Sequence, residues 1–206
     1  MSKRTVCEFV YQDFIFRIMT GKDVLQTVLL IRHMVYVSKH GFEQPHVLGL
    51  ELDENDSLAS HFLVTVCSQK LHIKELPIGC FRLIPFTENR LLPVFFCISD
   101  AVRSHEFSLL INKKIKAVEI SRMCVINQYV SMYRIPFNYY ADAYLKGLSC
   151  VLSEMGVKKA FFLMDKRFSV LFHRMNVNWS PIGTDIFHKG RIRTPARIDP
   201  SFLMKG

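Results

Sequence analysis

Three arginines of this chain lie inside apolar segments. Arg32 interrupts a helical apolar stripe that includes Leu29 and Tyr36, and Arg82 and Arg122 lie within strand-like apolar runs. An unpaired charge in a protein interior costs several kcal/mol, so such a side chain is retained where it has a partner or serves a site. The sequence therefore predicts a fold that supplies a carboxylate to each arginine.

Carboxylates occur in segments that can meet these arginines. Glu119 precedes Arg122 by three residues, and Asp53 and Asp56 lie in an acidic loop. We expect the three arginines and these three carboxylates to form one polar cluster, an arrangement typical of an active site.

Apolar periodicity predicts an α/β fold in a single domain spanning residues 1–206. The expected sheet is mixed and mostly antiparallel, with helices on both faces, and segment 88–116 is expected to be irregular. The predicted strands are 14–19, 58–67, 78–85, 117–126, 160–164, 179–182 and 185–198, and the predicted helices are 23–40 (ended by Gly41), 137–155 and 167–175.

The composition limits the function classes. The net charge is +9, with basic clusters near 113–116, 158–167 and 188–197. Such a surface attracts nucleic acid, an anionic membrane or an acidic protein, or it is simply a soluble basic surface. The sequence shows no nucleic-acid-binding motif and no apolar run as long as a membrane span, and its N-terminal segment lacks the apolar h-region expected of a signal sequence. We therefore expect a cytoplasmic protein without a nucleic-acid partner, with six free cysteines and no bound metal.

Five short motifs occur in order along residues 32–122. An arginine with an aromatic residue four positions later comes first, and Glu-x-Ser-Arg comes last. The motifs are Arg32-His-Met-Val-Tyr36, Gly41-Phe42-Glu43, Glu51-Leu-Asp53-Glu-Asn-Asp56, Gly79-Cys-Phe-Arg82-Leu-Ile-Pro85 and Glu119-Ile-Ser121-Arg122. In this order they resemble the acyl-homoserine lactone synthases and the related long-chain N-acyl amino acid synthases. Phe42 replaces the tryptophan usual in the lactone synthases, so the amine substrate need not be S-adenosylmethionine.

Further segments extend the pattern along the chain. They include His61 and Leu92-Pro93, and an ending with Ile182-Gly183, Phe187-His188-Lys-Gly190-Arg191 and Pro195. With these segments the chain resembles, more narrowly, the acyltransferases associated with exosortase and PEP-CTERM systems. The resemblance covers about Phe14 to Asp199, although Lys189 interrupts the His-Gly pair of the family pattern.

The resemblance implies a GNAT-like acyltransferase fold with a splayed or bulged motif strand near 117–126. In such folds the acyl-pantetheine pairs with this strand, which assigns Met123, Cys124 and Val125 to substrate binding. Backbone N–H groups there would stabilise the thioester oxyanion. Glu119 and Arg122 point to opposite faces of a regular strand, unless a β-bulge brings both to one side.

The roles of the site residues are left with alternatives. Glu119 is a candidate general base, or it forms a purely structural pair with an arginine. Asp53 and Asp56 bind a cationic amine, orient Arg32 and Arg82, or form a surface turn. Arg32 and Arg82 hold the acidic loop, or one of them receives a substrate carboxylate.

The remaining candidates concern the pocket wall and the reaction type. Tyr36 and Phe42 wall the substrate pocket or pack in the core. Ser121, in the catalytic Glu-x-Ser-Arg motif, is not flanked as a nucleophile elbow, and no histidine stands in a defined triad. These observations favour direct attack of an amine on a thioester over an acyl-enzyme.

The segment after the motif strand bears on the acyl donor. Coenzyme A-dependent acetyltransferases have a glycine-rich turn there whose N–H groups bind the pyrophosphate. Residues 127–137 contain no glycine. We therefore expect no bound cofactor and the acyl-phosphopantetheine of acyl carrier protein as donor, since an acidic carrier suits a basic protein. The predicted function is transfer of a fatty acyl group to an amino acid or similar amine, with a lactone synthase or a non-catalytic basic binding module as alternatives.

Overall fold

The computed structural model describes residues 2–44, 48–198 and 200, apart from the side chain of residue 167. These residues form two compact units. The first comprises the described residues up to Arg82 together with Arg122–Cys150, and the second comprises Leu83–Ser121 and the described residues from Val151 onward. The single domain stays a prediction.

Nine strands and five α-helices occur among the described residues. The strands are β1 (Arg4–Tyr11), β2 (Phe14–Thr20), β3 (Ser60–Ser68), β4 (Ile73–Pro85), β5 (Ala117–Val125), β6 (Lys159–Asp165), β7 (Trp179–Pro181), β8 (Ile186–His188) and β9 (Arg191–Ile198). The helices are α1 (Lys22–Arg32), α2 (Asp100–Asn112), α3 (Asn127–Met132), α4 (Phe137–Glu154) and α5 (Lys166–Arg174), with a π-helix at His33–Lys39 and a 3-10 helix at Pro93–Cys97.

The first unit contains the strand order β1-β2-β3-β4. β1 pairs antiparallel with β2, and β2 pairs antiparallel with β3. Helix α1 packs with its apolar side against a core shared with the sheet, because apolar residues recur at helical spacing along α1. The core cluster consists of Met19, Val24, Val28, Ile31, Val35, Leu63, Cys80, Cys124 and Ile126.

The second unit contains the order β5-β6-β9-β7, with β8 paired to β9. β5 and β6 run parallel, whereas β7, β8 and β9 pair antiparallel. The parallel pairing reaches Glu119 opposite Phe161, and β6 continues beyond it to Asp165. Together with the positive φ of 53° at Arg122, this confirms the splayed or bulged motif strand and the mixed, mostly antiparallel sheet.

Several elements differ from the prediction. Strand β1 was not predicted, because all of its residues are at least partly exposed and its alternation is weak. Helix α2 lies in the segment expected to be irregular; the Ser99 side chain caps it by accepting from the Val102 N–H. The first helix changes from α to π geometry after Arg32, although it ends before Gly41 as predicted.

None of the helices in the described ranges is both long enough and apolar enough to cross a membrane.

Candidate active site

The change from α to π geometry in the first helix occurs directly after Arg32, whose side chain is 0 % exposed. π-Helical turns often occur at functional sites. The π-helix contains Tyr36, and the chain turns away at Gly41, where φ is 62°. After this turn the Phe42 N–H donates to the Tyr36 carbonyl at 2.7 Å.

The acidic loop is folded by its own hydrogen bonds. The Asp53 N–H donates to the Asp56 carboxylate at 2.8 Å, and the Asn55 N–H donates to the Asp53 carboxylate at 2.8 Å. Upstream, the Glu51 N–H donates to the Leu29 carbonyl of α1 at 3.3 Å. The loop therefore presents its carboxylates to the arginines in fixed positions.

Arg32 is held by two carboxylates of this loop. Its Nη1 and Nη2 donate to the two oxygens of Asp56 at 2.6 and 3.0 Å, which is a bidentate pair. Its Nε donates to Glu51.

Arg82 of β4, 2 % exposed, is the second buried arginine. Its Nη1 donates to Asp53 at 2.6 Å and to Asp56 at 2.7 Å. Asp56 therefore joins Arg32 and Arg82.

Arg122 of β5 completes the cluster. Its Nη2 donates to Glu43 at 2.8 Å, Glu51 at 2.8 Å and Asp53 at 2.9 Å. Its guanidinium carbon lies 5.5 Å from the centre of the Tyr36 ring, which is cation–π geometry. The left-handed backbone of Arg122 is unusual for a residue with a Cβ, and such strain is concentrated at functional sites.

The cluster keeps its groups ionised. Burial alone would raise the pKa of Glu51, but the hydrogen bonds from Arg122 and Arg32 outweigh burial and hold that pKa below its ordinary value. The same balance lowers the pKa of Asp53, through Arg82, and of Asp56, through Arg32. At neutral pH these three carboxylates are therefore ionised beside the guanidinium groups.

His61 of β3 lies beside the cluster and is buried. Its Nε2 lies 3.2 Å from the Asp56 carbonyl, so this nitrogen carries the donated proton. Burial lowers the pKa of His61, and the hydrogen bond to Asp56 opposes this only in part. His61 is therefore a neutral imidazole that fixes the end of the acidic loop.

Two tyrosine hydroxyls donate to consecutive carbonyls of the motif strand. Tyr36 donates to the Met123 carbonyl at 2.9 Å, and the buried Tyr144 of α4 donates to the Cys124 carbonyl at 2.7 Å. Gly79 permits this approach, because a Cβ there would lie 1.8 Å from the Tyr144 hydroxyl.

A cavity of about 260 Å³ follows the strand and is lined by Met34, Val35, Ser38, Lys39, Val125, Ile126, Asn127 and Gln128.

Glu119 and Ser121 lie on β5 in the second unit, and Glu119 is 5 % exposed. The Glu119 carboxylate accepts the Val94 N–H of the 3-10 helix at 2.7 Å. The donor in this contact is a neutral backbone group.

The structure brings together five of the six groups expected in one cluster. Sequence reasoning did not assign the two further carboxylates, Glu43 and Glu51, although both belong to the quoted motifs. Their positions in the sequence could have identified them, because Glu43 directly follows Phe42 and Glu51 lies just before Asp53. Phe42 stacks on His40 at 4.9 Å between ring centres and lies 6.5 Å from the Tyr36 ring. Throughout the part of the chain that the structure describes, no group of three or more His, Cys, Asp or Glu side chains is arranged to hold a metal ion.

A family model described as the acetyltransferase (GNAT) domain matches residues 31–135, which include all five motifs. The match extends over half of the chain, and the chain belongs to this family. A search of curated protein sequences finds no significant match.

Solved structures with the same fold include two kinds of synthase. The acyl-homoserine lactone synthase LasI superposes with a TM-score of 0.60 at 14 % identity, over 91 % of this chain and 90 % of that chain. The CoA-dependent acyl-homoserine lactone synthase BjaI, with SAM and isopentyl-CoA, gives 0.60 at 17 %, over 86 % and 76 %. FeeM, an N-acyl amino acid synthase from uncultured soil microbes, gives 0.61 at 12 %, over 91 % and 92 %. At these identities the likeness shows a shared fold, and the GNAT-like prediction is confirmed.

Proposed function

We propose that this protein is an N-acyltransferase that moves a fatty acyl group from acyl carrier protein to the amine of an amino acid or a similar small molecule. The observation that carries the proposal is the cluster of Arg32, Arg82 and Arg122 with the acidic loop. The cluster is assembled from the motifs that resemble the lactone synthases and N-acyl amino acid synthases. The same resemblance favours the branch associated with PEP-CTERM systems.

The proposed reaction is direct aminolysis of a thioester. The amine nitrogen attacks the acyl carbonyl carbon, the new C–N bond forms, and the C–S bond breaks to release the pantetheine thiol. Glu119 accepts the proton that the amine loses, which then passes to the leaving thiolate. Backbone N–H groups of Met123, Cys124 and Val125 are proposed to bind the donor carbonyl.

The arginine cluster has a positioning role in this proposal. Arg32 and Arg82 are engaged by protein carboxylates, which supports holding the acidic loop over receiving a substrate carboxylate. Asp53 and Asp56 likewise orient the arginines. Tyr36, which contacts both Arg122 and the motif strand, links the cluster to the donor-binding segment.

Acyl carrier protein is the proposed donor because of the segment after the motif strand. That segment contains no glycine and begins with the short helix α3. The adjacent cavity has both apolar and polar lining, including Lys39, Asn127 and Gln128, which suits the phosphopantetheine arm. An acidic carrier also complements the net charge of +9.

The test uses one acyl chain attached to acyl carrier protein and to coenzyme A, with a panel of amines and mass spectrometry of the products. An N-acyl amino acid formed faster from the carrier protein supports the proposal. Raising the salt concentration shortens the Debye length from about 10 Å to about 3 Å and is expected to raise the KM for the carrier protein.

Other products would point to other functions. A homoserine lactone formed from S-adenosylmethionine would favour a lactone synthase, and no acylated product would favour a non-catalytic binding module. Equal use of coenzyme A without a salt effect would overturn the carrier-protein donor.

A further inference from the structure

Arg193 of β9 has a buried Nε with no hydrogen-bond partner among the described residues. Two further buried side-chain atoms of the described residues lack a partner, Nδ1 of His33 and Nδ1 of His61. A neutral imidazole can leave one nitrogen unprotonated, whereas a guanidinium nitrogen can only donate. An unsatisfied buried donor is unfavourable, so Arg193 calls for a ligand that accepts.

The strand register places Arg193 and Glu119 on one face of the second unit. Arg193 lies opposite Asp165 in the antiparallel β6–β9 pair, and Glu119 lies opposite Phe161 in the parallel β5–β6 pair. Phe161 and Asp165 are four residues apart on β6, so their side chains point to the same side of the sheet. The carboxylate and the guanidinium therefore share that side.

The 3-10 helix covers this face. The Phe95 ring packs edge-on against Phe161 at 5.0 Å, and the Val94 N–H donates to Glu119 at 2.7 Å. The Cys97 thiol lies near both charged groups. Burial raises its pKa, Glu119 raises it further, and Arg193 lowers it.

We propose that Arg193 receives the carboxylate of the acyl acceptor and thereby selects amino acids over amines that lack a carboxylate. This rests on the proposed function, in which Glu119 accepts the proton from the acceptor amine. A guanidinium edge matches a carboxylate in two parallel hydrogen bonds. An amino acid presents an amine and a carboxylate, which are the two groups that a glutamate and an arginine on one sheet face would meet.

Arg191 provides a matched control for Arg193. It lies two residues earlier on β9, and its Nη1 donates to Asp165 at 3.0 Å. Arg193→Gln and Arg191→Gln each remove one positive charge from the same strand. A general charge effect would therefore appear in both variants.

The experiment measures kcat/KM for an amino acid and for the amine obtained by its decarboxylation, using wild type and both variants. The wild-type enzyme is expected to prefer the amino acid, and Arg193→Gln to lower this preference by about tenfold or more, mainly through KM. Arg191→Gln is expected to retain the preference. The ratio of the two substrates in one preparation does not depend on the fraction of folded enzyme.

An unchanged ratio in Arg193→Gln, or a wild type that prefers the amines, would overturn the inference while the proposed function stands. If the wild type acylates no amine, the proposed function fails. In that case, calorimetric measurement of the binding of an N-acyl amino acid and of the matching N-acyl amine tests the role of Arg193 separately. Carboxylate-dependent binding that Arg193→Gln loses supports the role of Arg193, and equal binding of both ligands by both proteins excludes it.

Discussion

The two units of this chain use buried charge in different ways. In the first unit Arg32, Arg82 and Arg122 are each bound by at least two carboxylates. In the second unit Glu119 accepts a backbone N–H, and the Arg193 Nε has no partner among the described residues. The difference indicates that charges paired within the protein support architecture, whereas the unpartnered Nε of Arg193 is available to a substrate.

Energetics support this distinction. A buried ion-pair network costs much to break but adds little net stability compared with an apolar core. Its value in the first unit is therefore positional, because it fixes the acidic loop and the strained backbone at Arg122. The second unit has a second paired network at Glu106, which accepts from Lys159 and Arg197. Ion pairing therefore also occurs in the second unit, so the unpartnered Nε of Arg193 is not a general property of charged side chains in that unit.

The largest expected effect tests the reactive side of the comparison. Glu119→Gln keeps an amide oxygen that can accept the Val94 N–H, but it cannot take a proton. We expect turnover to fall by about two to four orders of magnitude with the fold retained. Steady-state kinetics and circular dichroism on the same preparation check this.

Glu106→Gln is the control for Glu119, since it also neutralises a buried carboxylate of the second unit. It is expected to lower stability through Lys159 and Arg197 while turnover per folded enzyme is preserved. A loss of less than about tenfold in Glu119→Gln would reassign Glu119 to a structural role.

The next largest effect tests the paired arginine cluster of the first unit. Arg82→Met removes the cation that Asp53 and Asp56 share, and leaves two partly buried carboxylates with fewer donors. We expect a loss of about 3–5 kcal/mol in the free energy of unfolding, measured by urea denaturation.

Arg17 is the exposed counterpart in the same unit, and it pairs with Glu8 at 2.6 Å. Arg17→Met is expected to cost no more than about 1 kcal/mol, because solvent screens an exposed pair. Similar losses in the two variants would show that the cluster does not hold the fold together.

The sequence allowed the first region to be predicted far better than the second. Arg32, Arg82 and Arg122 interrupt apolar runs, so their burial and their need for carboxylates follow from the pattern alone. Arg193 belongs to β9, whose three arginines are all partly exposed, and it was grouped with a basic surface near 188–197. A missing partner is a property of three-dimensional placement that no local pattern reports.

The same reasoning explains the missed elements. Helix α2 buries only Glu106 and Leu110 among its residues, so its apolar periodicity is faint. Strand β1 is held by its antiparallel pairing with β2, although its own alternation is weak. Helix α2 depends on Lys159 and Arg197, which are distant in the sequence, and β1 depends on the adjacent strand β2, whereas α4 and β5 have apolar patterns strong enough to identify them.

A smaller effect concerns the support of the motif strand. Tyr144→Phe removes the buried hydroxyl that donates to the Cys124 carbonyl and leaves that carbonyl without this donor. We expect a loss of about 1–3 kcal/mol in unfolding free energy. Tyr36→Phe, which removes the donor to the less enclosed Met123 carbonyl, is expected to cost about 0.5–1.5 kcal/mol. The reverse order would mean that the Tyr36 hydroxyl supports the strand more than the buried one.

The smallest effect has a defined sign and concerns His61. Its pKa is lowered by burial and by the nearby Arg32 and Arg82, and is raised only in part by Asp56. The unfolded chain, with a pKa of about 6.5, then binds more protons than the folded chain in the window below that value. The free energy of unfolding should be constant above about pH 6.5 with respect to this group and should fall as the pH falls toward the folded pKa.

His61→Gln separates this effect from the carboxylates, because the glutamine amide can still donate to the Asp56 carbonyl. The variant should lose the pH dependence in that window. It should keep the acid-side loss from Glu51, Asp53 and Asp56, whose lowered pKa values place that loss below about pH 4. Urea midpoints measured from pH 8 down to below pH 4 decide the point. If the pH dependence of the unfolding free energy between pH 6.5 and pH 5 is unchanged in His61→Gln, the pKa of His61 is the same in the folded and unfolded states. His61 would then not hold the acidic loop as a neutral imidazole.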